Sequence, residues 1–167
     1  MNPGAIVIMG VTCCGKTTFG VALAEKLGAK FVEGDKLHSP ESIAKMSSGL
    51  PLGDADRWPW LERIGQSMQG EACVVATCSA LKRTYRQAIV ESACRTVTFI
   101  HLHGDKAILA ARIAARKNHF MPPSLLDSQL ATLETPDTSE NAMTIDIALP
   151  RDDQVAIAMK FLRKEQN

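Results

Sequence analysis

The chain has 167 residues, of which 46% are hydrophobic and 22% charged, and its formal net charge is +1. That length and apolar content suit a single domain, residues 1–167, and exclude two independent cores. A nearly neutral chain has no general field for gripping polyanions, and no apolar stretch approaches the ~20 residues of a membrane helix, so neither nucleic acid nor a membrane is an expected partner.

The five cysteines, Cys13, Cys14, Cys73, Cys78 and Cys94, contain no CxxC pair and no histidines at zinc spacing. Free thiols in a reducing cytoplasm are expected. The N-terminus has no basic region ahead of its apolar run, so no signal peptide is read there.

The run GAIVIMGV, residues 4–11, is short, rich in β-branched residues and ends at a glycine loop, as a buried first strand does. It leads into Gly10-Val11-Thr12-Cys13-Cys14-Gly15-Lys16-Thr17-Thr18, the GxxxxGKT spacing of a phosphate-binding loop. A helix follows, with Phe19, Leu23 and Leu27 on one face and Gly28 as its stop. Strand, loop and helix together are what the motif needs: backbone N–H groups wrap phosphate oxygens at the positive end of a helix. Lys16 is expected to reach the β- and γ-phosphates of a nucleotide and the Thr17 hydroxyl to ligate Mg²⁺, with Thr18 as a further phosphate contact.

KFVEGD, residues 30–35, reads as the second strand, and EGDKLH places Glu33, Asp35 and His38 at its end, beside the same mouth. Alone, Asp35 and His38 would be a turn aspartate and a surface histidine. Their placement makes Asp35 the candidate base, because a loose phosphoryl-transfer transition state asks only for orientation of the hydroxyl and a late proton. Two helices should follow, the first capped by Ser39 before Pro40 and the pair separated by SGLPLGD. Trp58 and Trp60 read as packing residues around Pro59 at a helix start.

ACVVATCS and RTVTFIHL read as buried strands with the helix ALKRTYRQAIVESA between them, and AMTIDIAL as the last strand. Lys82, Arg83 and Arg86 follow the third strand, where cations could hold a carboxylate. In DKAILAARIAARK, Arg112 and Arg116 lie on one helical face and Leu109 and Ile113 on another, and KNHFMPP beyond suits a lid that excludes water. A terminal helix buries Val155, Ala158, Met159 and Leu162. Repeated β-α alternation implies a mostly parallel sheet with ligands at the carboxyl ends of its strands.

GDKLHSPESIAKMSSGLPLGDADRWPWL, CSALKRTYR and HLHGDKAILAARIAARKNHFMPPSLLDSQLATLE, taken with the phosphate loop, resemble the gluconokinase family from about Ala5 to Glu134 and more loosely to the last helix. The resemblance implies an α/β chain with a three-layer α/β/α P-loop kinase fold, a mostly parallel five-stranded sheet and a helical lid at about 112–125. It implies Mg-ATP as donor, D-gluconate as acceptor at its 6-hydroxyl, a product that feeds the pentose phosphate pathway, and a cytoplasmic homodimer. Residue by residue, Gly10 to Thr18 would bind ATP, Asp35, His38, Arg57, Lys82 and Arg86 would face the acid, and Arg112 and Arg116 would be lid arginines.

The chain departs from the family at Cys13, where glycine is usual, and at Cys14, where serine or glycine is common. Cys14 should fit at no cost, whereas Cys13 in a left-handed conformation brings roughly 1 to 2 kcal/mol of strain. The helix N-terminus and Lys16 favour thiolate at both and could make them oxidisable, but two tolerated small residues are the weightier reading. Two alternatives stay open: a catalytically weak, redox-responsive ATP-binding regulator, and a kinase for another small sugar acid or shikimate, although CSALKR stands where shikimate kinases carry a glycine triplet.

Overall fold

A computed structural model describes residues 3–115 and 123–164. Strand β1 (Ala5–Met9) leads to α1 (Lys16–Leu27) and β2 (Lys30–Val32). A 3₁₀ turn (Gly34–Leu37), α2 (Pro40–Ser47) and α3 (Asp54–Gln66) come next. β3 (Val74–Thr77), α4 (Arg83–Ala93), β4 (Val97–His103) and α5 (Lys106–Ala114) complete the middle, and α6 (Pro123–Thr132), β5 (Ala142–Asp146) and α7 (Arg151–Lys164) close the chain. The five strands form one sheet in the order β2-β3-β1-β4-β5, with every pairing parallel.

Alternation along β1 divides the core. Ile6 and Ile8 face α1, α5, α6 and α7, where Phe19, Leu23, Leu109, Leu126 and Leu162 cover them. Ala5, Val7 and Met9 face α3 and α4, against Trp60, Leu61, Ile64, Tyr85 and Ile89. A sheet buried on both faces needs strands apolar on both sides, which is why β1 reads as a continuous apolar run. The three-layer α/β/α fold therefore follows, and β1 lies at its centre with its carboxyl end open to the loops of its neighbours.

Caps explain several boundaries. α1 ends on Gly28 in the left-handed conformation, and the Ser39 hydroxyl caps α2 by accepting from Ser42 N–H at 3.1 Å. Strand β2 is shorter than the expected 30–35 because Gly34 turns the chain against β3. A Cβ at Gly34 would stand 1.8 Å from the Thr77 carbonyl oxygen, so only glycine fits. Helix α4 begins at Arg83 rather than at the expected Ala80, whose φ of 43° lies outside the helical region.

Two further elements differ from expectation. Helix α3 starts at Asp54, because the Asp56 carboxylate accepts from Gly53 N–H at 2.8 Å, so Pro59 lies inside the helix and not at its start. The interior proline forfeits one helical hydrogen bond, and burial of Trp60, Leu61 and Ile64 on the sheet offsets the loss. Helix α6 overlaps the expected helical lid only at its first turn, and no helix is expected over the rest of it. Its sequence, PSLLDSQLAT, is short, and it is held by Leu126, which is buried in the core.

The buried histidine of β4 titrates abnormally. His101 on β4 is buried, with Nδ1 3.5 Å from the Thr144 hydroxyl, and burial, then the neighbouring His103 and Arg86, push its pKa from 6.5 down to about 4. The unfolded chain thus binds a proton that the folded chain refuses between those values. Stability is complete above pH 6.5 and falls as pH drops toward 4, by up to about 3 kcal/mol. His101→Asn should flatten this part of the pH profile of urea midpoints; an unchanged slope would place the loss elsewhere.

Candidate active site

The site is built where β1 turns into α1. Gly10 has a φ of 141°, and a Cβ there would meet the Leu102 carbonyl oxygen at 2.8 Å and Cys14 Sγ at 2.9 Å. The loop then climbs to Gly15, the N-cap of α1, and the first helical bond is Phe19 N–H to the Gly15 carbonyl at 3.0 Å. The amides of Gly15, Lys16, Thr17 and Thr18 therefore have no partner inside the helix and carry its positive end. Lys16 Nζ lies across the loop, donating to the carbonyls of Gly10 at 3.0 Å and Val11 at 2.9 Å. Thr17 and Thr18 are exposed at the mouth.

The two cysteines have different environments. Cys13 has a φ of 61°, the left-handed region anticipated for it, and is half-buried. Cys14 is buried among core residues that include Phe19, Val11 and Leu109. Burial raises the Cys14 thiol above its ordinary pKa in spite of the Lys16 and Arg112 charges, so the expected thiolate character does not hold there. Cys14 acts as a small core side chain.

Arg112 comes to this loop from α5. Its guanidinium donates to the Cys14 carbonyl at 3.2 Å and to the Ile147 carbonyl at 3.1 Å. Beside it a cleft of about 330 Å³ is lined by Cys13, Gly15, Thr18, Arg112, Arg151 and Gln154, among others. Arg116 and half of the expected lid lie outside the described residues.

On the other side of the mouth, Gly34 N–H donates to the Thr77 hydroxyl at 3.1 Å, that hydroxyl donates to Glu33, and Trp60 Nε1 donates to the Gly34 carbonyl at 2.7 Å. These bonds fix the turn that presents Asp35 in an exposed position. His38 stacks on Trp60 with ring centroids 4.2 Å apart, and its Nδ1 is buried without a hydrogen-bond partner among the described residues. Burial, against the opposing charge of Asp35, lowers the His38 pKa, so the ring is neutral at pH 7 and its two nitrogens offer one donor and one acceptor. Arg63 holds the end of the turn by donating to the Leu37 carbonyl at 2.7 Å.

The expected cations divide into three kinds. Arg57 lies 5.8 Å from the Tyr85 ring centre, and Lys82 lies 5.3 Å from it while pairing with Asp54 at 3.1 Å. The Tyr85 hydroxyl also donates to Asp54, which, with Lys82, holds that carboxyl below its usual range. Arg86 departs from expectation. It is buried, pairs with both Glu140 oxygens at 2.6 and 2.8 Å, and donates to the Ala80 and Glu134 carbonyls, each at 3.0 Å. All its donors face protein, so it pins the segment after α6 onto α4 and is not available to a substrate.

Asp54, Tyr85 and Gln129 were not singled out by sequence. Thr12 N–H donates to Gln129 Oε1 at 2.7 Å across 117 residues, a separation at which no spacing rule operates.

The crystal structure of a gluconokinase from Sinorhizobium meliloti 1021 superposes with a TM-score of 0.90 at 48% identity, covering 98% of this chain and 93% of that one. A gluconokinase of Gluconobacter oxydans is 44% identical over 87% of this chain and 83% of its own length. The chain belongs to the gluconokinase family. The thermosensitive gluconokinase of Escherichia coli K12 is 42% identical over 86% of this chain and 79% of its own length. The family model described as shikimate kinase matches residues 12–156, and the shikimate kinase of Aquifex aeolicus shares the fold at a TM-score of 0.60 and 14% identity.

In this gluconokinase-family chain Arg86 is a test of structure against chemistry. Arg86→Met strands the Glu140 carboxylate, and removing one partner of a buried pair costs about 3–5 kcal/mol. The unfolding free energy of Arg86→Met from urea titration should fall by that amount, while Lys82→Ala, whose pair is exposed, should leave it nearly unchanged.

Proposed function

We propose that the chain transfers the γ-phosphate of ATP to the 6-hydroxyl of D-gluconate, giving 6-phospho-D-gluconate and ADP. The observation that carries this reading is a phosphate loop that ends on the free first-turn amides of α1, with Lys16 lying across it, in a chain 44% identical to a gluconokinase.

The loop amides and Lys16 bind and orient the phosphoryl chain, stabilising the charge that spreads over the equatorial oxygens in the transition state. Arg112, now on the Cys14 carbonyl, is within a side-chain rotation of the same phosphates. The cleft beside it, with Arg151 and Gln154, takes the nucleoside. Asp35 orients the acceptor hydroxyl and accepts its proton late in the transfer. His38 offers its unpaired nitrogen to a sugar hydroxyl, and Arg57 and Lys82 supply positive charge for the carboxylate.

Mg²⁺ fits the oxygen donors here: the exposed Thr17 hydroxyl, with Glu33 or Asp35 able to hold metal-bound water. When bound it neutralises charge shared between the β- and γ-phosphates. The cytoplasmic homodimer belongs to the same reading. Among the described residues no helix is long and apolar enough to cross a membrane.

A coupled assay of ADP release should respond to D-gluconate well above other aldonates and shikimate; ATP binding without gluconate-dependent ADP would sink the reading, and a response to another acid would redirect it. Lys16→Ala and Asp35→Asn should each lower kcat by at least ~100-fold with little change in thermal midpoint. Loss of activity in step with loss of folding would contradict their roles.

A further inference from the structure

The cleft beside the phosphate loop takes its walls from two places in the chain. Cys13, Gly15 and Thr18 come from the loop and the start of α1, where free amides draw anionic phosphates. Leu149, Arg151 and Gln154 come from the turn after β5 and the first turn of α7. A nucleoside whose phosphates rest on the first wall meets the second with its base.

That second wall is fixed residue by residue. Ile147 N–H donates to the His103 carbonyl at 2.8 Å, and its own carbonyl accepts from Arg112 at 3.1 Å. Ala148 N–H donates to the Asp146 carboxylate at 2.8 Å. The Leu149 carbonyl accepts from Gln154 Nε2 at 2.8 Å, while the Leu149 side chain, though apolar, is 40% exposed.

The bond to Leu149 also settles which way the Gln154 amide faces. A carbonyl only accepts, so the NH₂ group is turned to Leu149 and Oε1 is turned away from it. Gln154 is 7% exposed, and its Oε1 accepts no hydrogen bond among the described residues. The one side-chain polar atom among those residues that is both sealed and unpartnered is His38 Nδ1, so Gln154 Oε1 keeps an opening, and the space that Gln154 lines is the cleft. An immobile acceptor beside an apolar side chain suits the edge of a flat heterocycle that carries a donor. Adenine presents an exocyclic amino group there, whereas a 6-oxo purine such as guanine presents an oxygen.

We propose that Gln154 is a specificity-determining residue for the nucleotide base: its Oε1 accepts from the exocyclic amino group of adenine and so selects 6-amino over 6-oxo purine triphosphates. This rests on the ATP reading of the loop. Gln154 touches no phosphate and no acceptor, so its effect falls on the choice among nucleotides.

The test is calorimetric titration of the unsubstituted chain and of Gln154→Met with ATP, with purine riboside triphosphate, which has hydrogen in place of the amino group, and with ITP, which has oxygen. The unsubstituted chain should bind ATP roughly three- to tenfold more tightly than the purine analogue, the usual worth of one hydrogen bond, and should bind ITP weakest because two oxygens then face each other. In Q154M the three affinities should draw together. Methionine also releases the Leu149 carbonyl, but a loosened turn weakens all three alike and leaves their order intact. An equal loss for all three, or an order in Q154M that matches the unsubstituted chain, would therefore overturn the proposal. The order in the unsubstituted chain needs no variant to fold, and a flat or reversed order there would overturn it as well. Failure of the unsubstituted chain to bind any of the three would instead sink the ATP reading of the loop itself.

Discussion

Four backbone amides at the start of α1 are left without helical partners, and the site is arranged around what they can attract. They are unpaired because Gly10 and Gly15 adopt backbone angles that turn the chain from the central strand directly into a helix axis. The positive end so formed is fixed charge that needs no reorganisation when an anion arrives. Its position at the middle of the sheet, between β3 and β4, lets loops from both sides reach it. Asp35 arrives from the β2 side and Arg112 from the β4 side, so the two reach the region from opposite flanks of one strand.

Parts of this plan were legible because they depend on neighbours in sequence. The alternation of Ile6 and Ile8 with Val7 and Met9, the Gly28 stop and the Ser39 cap are local rules, and the structure keeps each of them. The phosphate loop is legible for the same reason, since its spacing contains its own geometry. The left-handed Cys13 follows instead from the resemblance, since the family usually has glycine at that position.

What could not be read depends on distant partners. Arg86 looks like a free cation until Glu140, 54 residues on, is brought against it. Cys14 looks like a surface thiol at a helix end, yet the climb of the loop turns its side chain into the core under Gly10. Pro59 signals a helix start in one dimension, whereas the Asp56 carboxylate and the packing of Trp60 move the true start five residues upstream, to Asp54. Helix α6 has only a weakly one-sided apolar face for periodicity to reveal, and its glutamine meets Thr12 from 117 residues away.

The adjacent thiols also give the loop a built-in clock. Cys13 is half-buried while Cys14, one residue on, is 1% exposed. A thiol reagent can therefore meet the first in the native state but must wait for the loop to lift off the core before it meets the second. The ratio of the two labelling rates measures how often the loop opens, in the same sense that amide exchange measures local unfolding. The chain thus carries, within its phosphate-loop motif, an internal pair of probes for the opening equilibrium of that loop.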